Sequence, residues 1–227
     1  SVRFSLNLFL AILLSCLELA MEEAVKFFAE GNGRLTSKAG QAASKTLQHE
    51  SVHHGLPGHD LIQLSTVIAQ NSHGVQTSRC LLKCMIPRCN VPGEVVMRLL
   101  PALGKPGIPN GLKVEIVKWI TAAFHLLTDD SNLVVMFRAL LLLLNTVDTQ
   151  EHASNLLILL ASKSTVTNFS LHWLKIMQKK YPSSNPINYL NRIFESYQPG
   201  FVPMVDAKEK IFQLRYVQYL KQMKARF

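Results

Sequence analysis

The chain has 227 residues, 48% of them hydrophobic and only 17% charged, with a formal net charge of +9 at pH 7. That is enough apolar material for one sizeable core or for a repeat array with a continuous core, and the low charged fraction leaves surface for partners to cover. The positive balance suits acidic proteins or nucleic acid and says nothing about fold, while four cysteines in a chain of this size exclude a disulfide-framed mini-domain.

Helical periodicity dominates from end to end, and no strand-like alternation persists. Residues 1–20 (SVRFSLNLFLAILLSCLELA) imitate a signal peptide, with one Arg, an apolar run and a small residue. Ser15 and Glu18 interrupt the run, so it is a poor membrane span. A buried first helix is the preferred reading, and a targeting segment is the alternative. The helical stretch Phe4–Glu30 stops at Gly31-Asn32-Gly33. A polar helix is expected over Thr36–His53, N-capped by Thr36 or Ser37 and ended by Gly55-Leu56-Pro57-Gly58.

Paired helices follow: His59–Gln70 with Gln76–Met85, Pro92–Leu103 with Asn110–Leu127, Ser131–Leu144 with Glu151–Lys163, and Thr167–Lys180 with Pro186–Tyr197. Asp130 or Ser131, then Asp148 or Thr149, offer N-caps for the third pair, and Asn185-Pro186 opens the last helix. The hairpins recur roughly every 35–40 residues, near the period of helical-hairpin solenoids. The expected fold is all-α, an α-solenoid of stacked hairpins.

Leu133–Leu144 (LVVMFRALLLLL) is apolar almost all round, so it is expected to be an inner helix sandwiched by its neighbours. Trp119, Phe124, Trp173 and Phe194 fall in helical apolar stripes and read as core. After the stiff turn Pro199-Gly200-Phe201-Val202-Pro203, the segment Asp206–Phe227 makes one more helix. Phe212, Tyr216, Tyr219, Leu220, Met223 and Phe227 share one face at 100° per residue, flanked by Lys208, Lys210, Arg215, Lys221, Lys224 and Arg226. That stripe suits docking on an acidic partner, with Lys208, Phe212, Arg215, Tyr216 and Tyr219 as the contact residues. It equally suits a terminal cap on the array. The expected division is a helical-repeat domain over 1–203 and a basic amphipathic helix over 204–227.

Chemistry is sparse. Gln48–Asp60 (QHESVHHGLPGHD) contains H-E-S-V-H, with His49, Glu50 and His53 meeting the zinc-protease pattern and His59 as a third ligand. Gly55 and Pro57 end that helix at once and no sheet supports it, so a solvated helix end without metal is expected, with a zinc metallohydrolase as the rival. Cys80, Cys84 and Cys89 follow C-x3-C-x4-C spacing, which is not that of a zinc ribbon. Buried free thiols are expected for these and Cys16, with a zinc site taking His73 as fourth ligand as the rival. Asn168-Phe169-Ser170 is a glycosylation triplet of the kind that arises often by chance. There is no P-loop, no dinucleotide fingerprint and no nucleophile elbow. No enzyme activity and no cofactor are expected. The basic terminal helix leaves a nucleic-acid-binding repeat as a further rival.

Val75–Pro92 reads VQTSRCLLKCMIPRCNVP. Thr77, Arg79, Leu82, Lys83, Cys84, Met85, Ile86 and Pro87 resemble the T-R-x-L-K-C-M-I-P helix of the centromere protein I family of the inner kinetochore, with one extra residue between Thr77 and Arg79. The preceding helix and the run Trp173–Val202, with its Pro/Asn turn and F-V-P, are similar in pattern. The resemblance covers residues 20–203, and Leu82–Pro87 is its only specific motif. It implies a HEAT-like solenoid in the nucleus, at the centromere. There it would act as a non-enzymatic scaffold joining centromere proteins H and K, and M, with direct DNA contact left open and no membrane.

Overall fold

The computed structural model describes residues 19–31, 35–128 and 133–197. All regular structure among them is helical, apart from two isolated parallel bridges. The described part of α1 covers residues 19–29. It is followed by α2 (Lys38–His54), α3 (Gly58–Gln70), α4 (Val75–Cys84), α5 (Gly93–Gly104) and α6 (Asn110–Ala123). After a 3-10 turn at Phe124–Leu126 come α7 (Leu133–Leu143), α8 (Val147–Leu160), α9 (Asn168–Lys180) and α10 (Asn185–Tyr197). No described helix is long and apolar enough to cross a membrane. The chain divides into two compact units, one reaching to Ala102 and including Leu126–Thr128, the other formed by Leu103–His125 and the residues from 129 onward.

In the first unit α4 packs on both α2 and α3. Val25, Phe28, Leu47, Leu61, Leu64, Ile68, Leu81 and Met85 are buried. Burial of each such side chain is worth about 1.5–3 kcal/mol. Ser37 caps α2, its hydroxyl accepting from the Gly40 amide at 2.9 Å. The turn after α3 is closed by Asn71 in the left-handed region (φ 54°), whose side chain accepts from Ser78 Oγ at 2.9 Å. The His73 ring donates to the Phe28 carbonyl at 2.9 Å, tying α1 to that turn.

Main-chain pairing closes this unit. Leu56 N–H donates to Ile86 O at 2.6 Å, and Arg88 N–H donates to Leu56 O at 2.9 Å. Gly55 makes the approach feasible. It sits at φ 69° and ψ 162°, a region open essentially to glycine alone, and a Cβ there would lie 2.6 Å from Arg88 Cα. Val91 is similarly paired with Leu127, through Val91 N–H to Leu126 O at 2.8 Å and Thr128 N–H to Val91 O at 3.2 Å. This pairing is why the helix expected to reach Leu127 tightens into a 3-10 turn after Ala123.

In the second unit α8 packs on α6, α7 and α10, and α9 packs on α7 and α10. α6, α8 and α10 make one layer, α7 and α9 the other, and α7–α8 and α9–α10 are the hairpins. This is the packing of a stacked helical-hairpin array. The core includes Leu112, Ile116, Phe137, Leu140, Leu156 and Phe194, and the Phe137 and Phe194 rings stack at 5.6 Å between centroids. Trp119, Phe124 and Trp173 are half-buried, so of the four aromatics read as core only Phe194 is fully so.

The carbonyls at the end of α7 find side-chain donors: Thr149 Oγ1 on Leu143 O at 2.5 Å, Gln150 Nε2 on Leu144 O at 2.9 Å and Trp173 Nε1 on Leu141 O at 2.8 Å. Thr149 and Asp148 therefore do not cap α8, which begins at Val147, a turn earlier than expected. Ser184 Oγ donates to Gln150 Oε1 at 2.8 Å, linking this polar knot to the turn before α10. α9 opens with a capping box between Thr167 and Ser170.

Candidate partner-binding site

Lys208, Phe212, Arg215, Tyr216 and Tyr219 lie outside the described residues, as does Cys16. The H-E-S-V-H stretch is described, and its groups do not converge. The His49 and His53 rings pack together at 4.5 Å between centroids. Glu50 is buried rather than solvated, with His49 Nδ1 at 3.0 Å and His54 Nε2 at 3.8 Å from its two oxygens. His59, the third ligand the pattern would need, places Nε2 3.1 Å from Asp60 Oδ1. Asp60 is itself buried, and that burial raises its carboxyl above the ordinary carboxylate range. Among the described residues, no three or more His, Cys, Asp and Glu side chains are grouped so as to hold a metal ion.

Cys80, Cys84 and Cys89 are free thiols, of which only Cys84 is buried; Cys80 is half-buried and Cys89 exposed. The expectation of buried thiols fails for Cys89 because it lies in the exposed Arg88-Cys89-Asn90 stretch before Val91. Cys80 Sγ lies 3.0 Å from Ser44 Oγ on α2. A hydrogen bond from Cys84 lowers the Cys80 thiol to about 6, helped by Ser44 and Lys83 and opposed by burial. The same bond, with burial, pushes Cys84 upward. Ser170 of the glycosylation triplet is buried in the α9 capping box.

The feature that stands out is α7. Its sequence is apolar all round, yet it is not covered all round. Met136, Phe137, Leu140, Leu141, Leu143 and Leu144 are buried, while Val134, Val135 and Leu142 are 42%, 49% and 59% exposed. The expectation of a sandwiched inner helix is corrected: at 100° per residue Val134, Val135, Arg138 and Leu142 form a stripe on the solvent side. α9 adds Phe169, 58% exposed, and Ile176, 40% exposed. Between the two helices lies a groove of about 380 Å³ lined by Val134, Phe137, Arg138, Leu141 and Phe169 together with Ser164, Thr165, Thr167 and Ser170. The hydroxyls of Thr165 and Ser170 already donate to Leu160 O and Thr167 O. The groove therefore offers apolar surface and one guanidinium, with no arrangement for bond-breaking chemistry.

Five of the eight large apolar side chains exposed among the described residues belong to this α7–α9 face. Isolated exposed apolar residues need no explanation, whereas several on two packed helices leave an apolar face uncovered. Sequence reasoning missed it, although the signal was present: a helix of this composition must be covered by something, and the covering was assigned to the chain itself.

The family model CENP-I (Mis6) matches residues 16–222, reaching past residue 203 into the basic terminal segment. Centromere protein I of Rattus norvegicus is 22% identical over 197 residues, and that of Mus musculus 21%. Each alignment covers 85% of this chain and 26% of the relative, so the chain spans about a quarter of these relatives' length. The fold is similar to that in a crystal structure of centromere protein Cenp-I, with a TM-score of 0.73 at 19% identity over 91% of this chain and 99% of that one. It is also similar to a chain in the crystal structure of the kinetochore subunits Cenp-H/I/K triple complex, with a TM-score of 0.68 at 20% identity over 82% and 87% of the two chains. With the family match running over most of its length and the fold agreeing, this chain belongs to the centromere protein I (Mis6) family.

Proposed function

We propose that this chain is a helical scaffold of the inner kinetochore, placed at the centromere in the nucleus, that holds the centromere protein H–K pair. The observation that carries the reading is its likeness to a chain of the Cenp-H/I/K triple complex, together with membership of the family. The all-helical hairpins and the uncovered α7–α9 face support it, because stacked helices bind other helices in the valleys between them. The +9 balance favours an acidic partner and faster encounter at low salt.

Co-expression with the H–K pair and size-exclusion chromatography tests it: one peak containing all three chains is expected, and separate elution refutes the reading. In the same reading the terminal segment is a further contact through Lys208, Phe212, Arg215, Tyr216 and Tyr219. Deleting residues 206–227 separates its roles. Loss of binding by a folded protein assigns a contact to it, whereas unchanged binding leaves the interface on the hairpins.

A further inference from the structure

The groove between α7 and α9 lies close to the point where the chain leaves α10. At that point the Tyr197 hydroxyl donates to the Ala161 carbonyl at 3.0 Å. The residues after Ala161 fold back at once: Ser162 N–H donates to Thr165 Oγ1 at 2.8 Å and Val166 N–H to Ser162 O at 3.0 Å. Ser164 and Thr165, which belong to this turn, line the groove. The ends of such a turn lie within about 7 Å of each other, so the groove wall is one turn away from the carbonyl that Tyr197 touches. Gln198-Pro199-Gly200 comes next in the chain, and five apolar residues follow without a break: Phe201, Val202, Pro203, Met204 and Val205. Four extended residues reach about 13 Å, which carries Phe201 from α10 to the groove. The family match extends to residue 222, so this run lies within the matched span.

The shape of the groove selects an extended occupant. From Val134 to Leu141 it follows α7 for about 10 Å, less than two turns of any helix laid in it. A helix over residues 206–227 would be about 33 Å long, with most of its apolar stripe beyond the groove. An extended run of four or five residues, about 13–16 Å, matches it from end to end. Apolar lining extends from buried Phe137 and Leu141 to exposed Val134 and Phe169, so an apolar run finds surface at every depth. Pro203 turns Val202 away from the helical region and removes one N–H that would need an acceptor. The run's carbonyls need donors instead, and the Arg138 guanidinium in the lining supplies several in one plane.

We propose that the groove between α7 and α9 is the seat of the chain's own residues 201–205, with Phe201 against Val134 and Phe169 and a main-chain carbonyl on Arg138. Val135, Leu142 and Ile176 do not line the groove and stay uncovered, so the face keeps apolar surface for a partner. Seating the run also fixes where the basic segment 206–227 sets out, beside that uncovered surface. The inference goes beyond the proposed function and stands without it, because no partner takes part in the contact.

The test uses the full chain alone. With p-benzoylphenylalanine in place of Phe201 the aromatic ring is kept, and irradiation followed by peptide mass spectrometry maps what it touches. A crosslink within one chain to residues 134–141 or 164–170 is expected. In parallel, Phe201→Ala and Phe169→Ala are each expected to lower the melting temperature by about 4 °C, and the double variant by no more than the larger single loss, since both remove the same contact. The absence of a crosslink to either stretch overturns the proposal, as do losses that add. A crosslink joining two chains makes the groove an interface between copies and overturns it as well. Each of these failures leaves the binding of the H–K pair untouched, because the pair is absent from the experiment.

Discussion

The two units solve the same packing problem with different means. In the first, main-chain bonds between loops lock the helices: Leu56 pairs with Pro87 and Val91 with Leu127. In the second, side chains reach to helix ends, as Trp173, Thr149 and Gln150 do on the last carbonyls of α7. Bridges between loops demand particular residues, a glycine in a conformation closed to others and a proline that follows a helix end. Side-chain ties demand less, and they leave α7 free to show one flank to solvent. The contrast teaches that the recognisable residues and the uncovered apolar face lie in different places. The C-M-I-P stretch that resembles the family's motif supplies the bridge, with Met85 buried and Ile86 O accepting from Leu56, whereas the α7–α9 face has no motif, only composition.

The largest effect expected is on the bridge. Gly55→Ala combines a glycine-only backbone region with a Cβ 2.6 Å from main-chain atoms, and is expected to destabilise by about 4 kcal/mol, read by urea unfolding. Hydrogen exchange should show the loss concentrated in α2–α4. An equal rise in exchange across α8 and α10 would mean that the units are not separate in stability, and the comparison would fail.

Next comes a contrast within one helix. Leu140 is fully buried and Leu142 is 59% exposed, two residues apart. Leu140→Ala should destabilise by about 3 kcal/mol and Leu142→Ala by no more than about 0.5 kcal/mol. Comparable losses would show that the outer stripe of α7 is core after all. Smaller again is Trp173→Phe, which keeps most of the ring's packing but removes the donor to Leu141 O; about 1 kcal/mol is expected by thermal denaturation. A null result would remove that side-chain tie from the account of the second unit.

The smallest effect concerns the thiols of α4. In a Cys89→Ser background, iodoacetamide should modify Cys80 with a rate that rises through about pH 6, while Cys84 stays unmodified until the protein unfolds. Because the folded-state value of Cys80 lies below its unfolded one, this group adds stability that is complete above about pH 9 and disappears as the pH falls through about 6. A flat stability profile across that window, or a Cys80 midpoint near the ordinary thiol value, would refute the Ser44–Cys80–Cys84 arrangement.

Much of the helical order was legible because its punctuation is local. Ser37, Asn71, Gly74, Thr167 and Pro186 each act within a few residues, and the boundaries they imply hold to within one or two residues. The start of α8 was misplaced because Thr149 has the chemistry of a cap but spends its hydroxyl on the helix before. The bridges were invisible, since Leu56 and Pro87 are brought together only by the packing of α3 and α4. The exposed flank of α7 was hidden for a different reason: where every position is apolar, periodicity carries no information about which side meets the protein. The H-E-S-V-H pattern reads as a helix end without metal, but the burial of Glu50 and the turning of the imidazoles to Glu50, to Asp60 and to one another are set by packing and are not visible in the pattern.

The bridge at Leu56 also bears on how the protein responds to mechanical load. Stacked hairpins pulled from their ends can peel away one helix at a time, each giving up its contacts in turn. Here the two bonds of Leu56 shunt tension from residue 56 directly to the segment after residue 86, so α3 and α4 are bypassed. They come under force only when both bonds have parted, and those bonds are loaded together rather than in sequence. The first unit should therefore yield in an abrupt step and the second in a gradual ramp, a difference that a single-molecule extension trace would resolve.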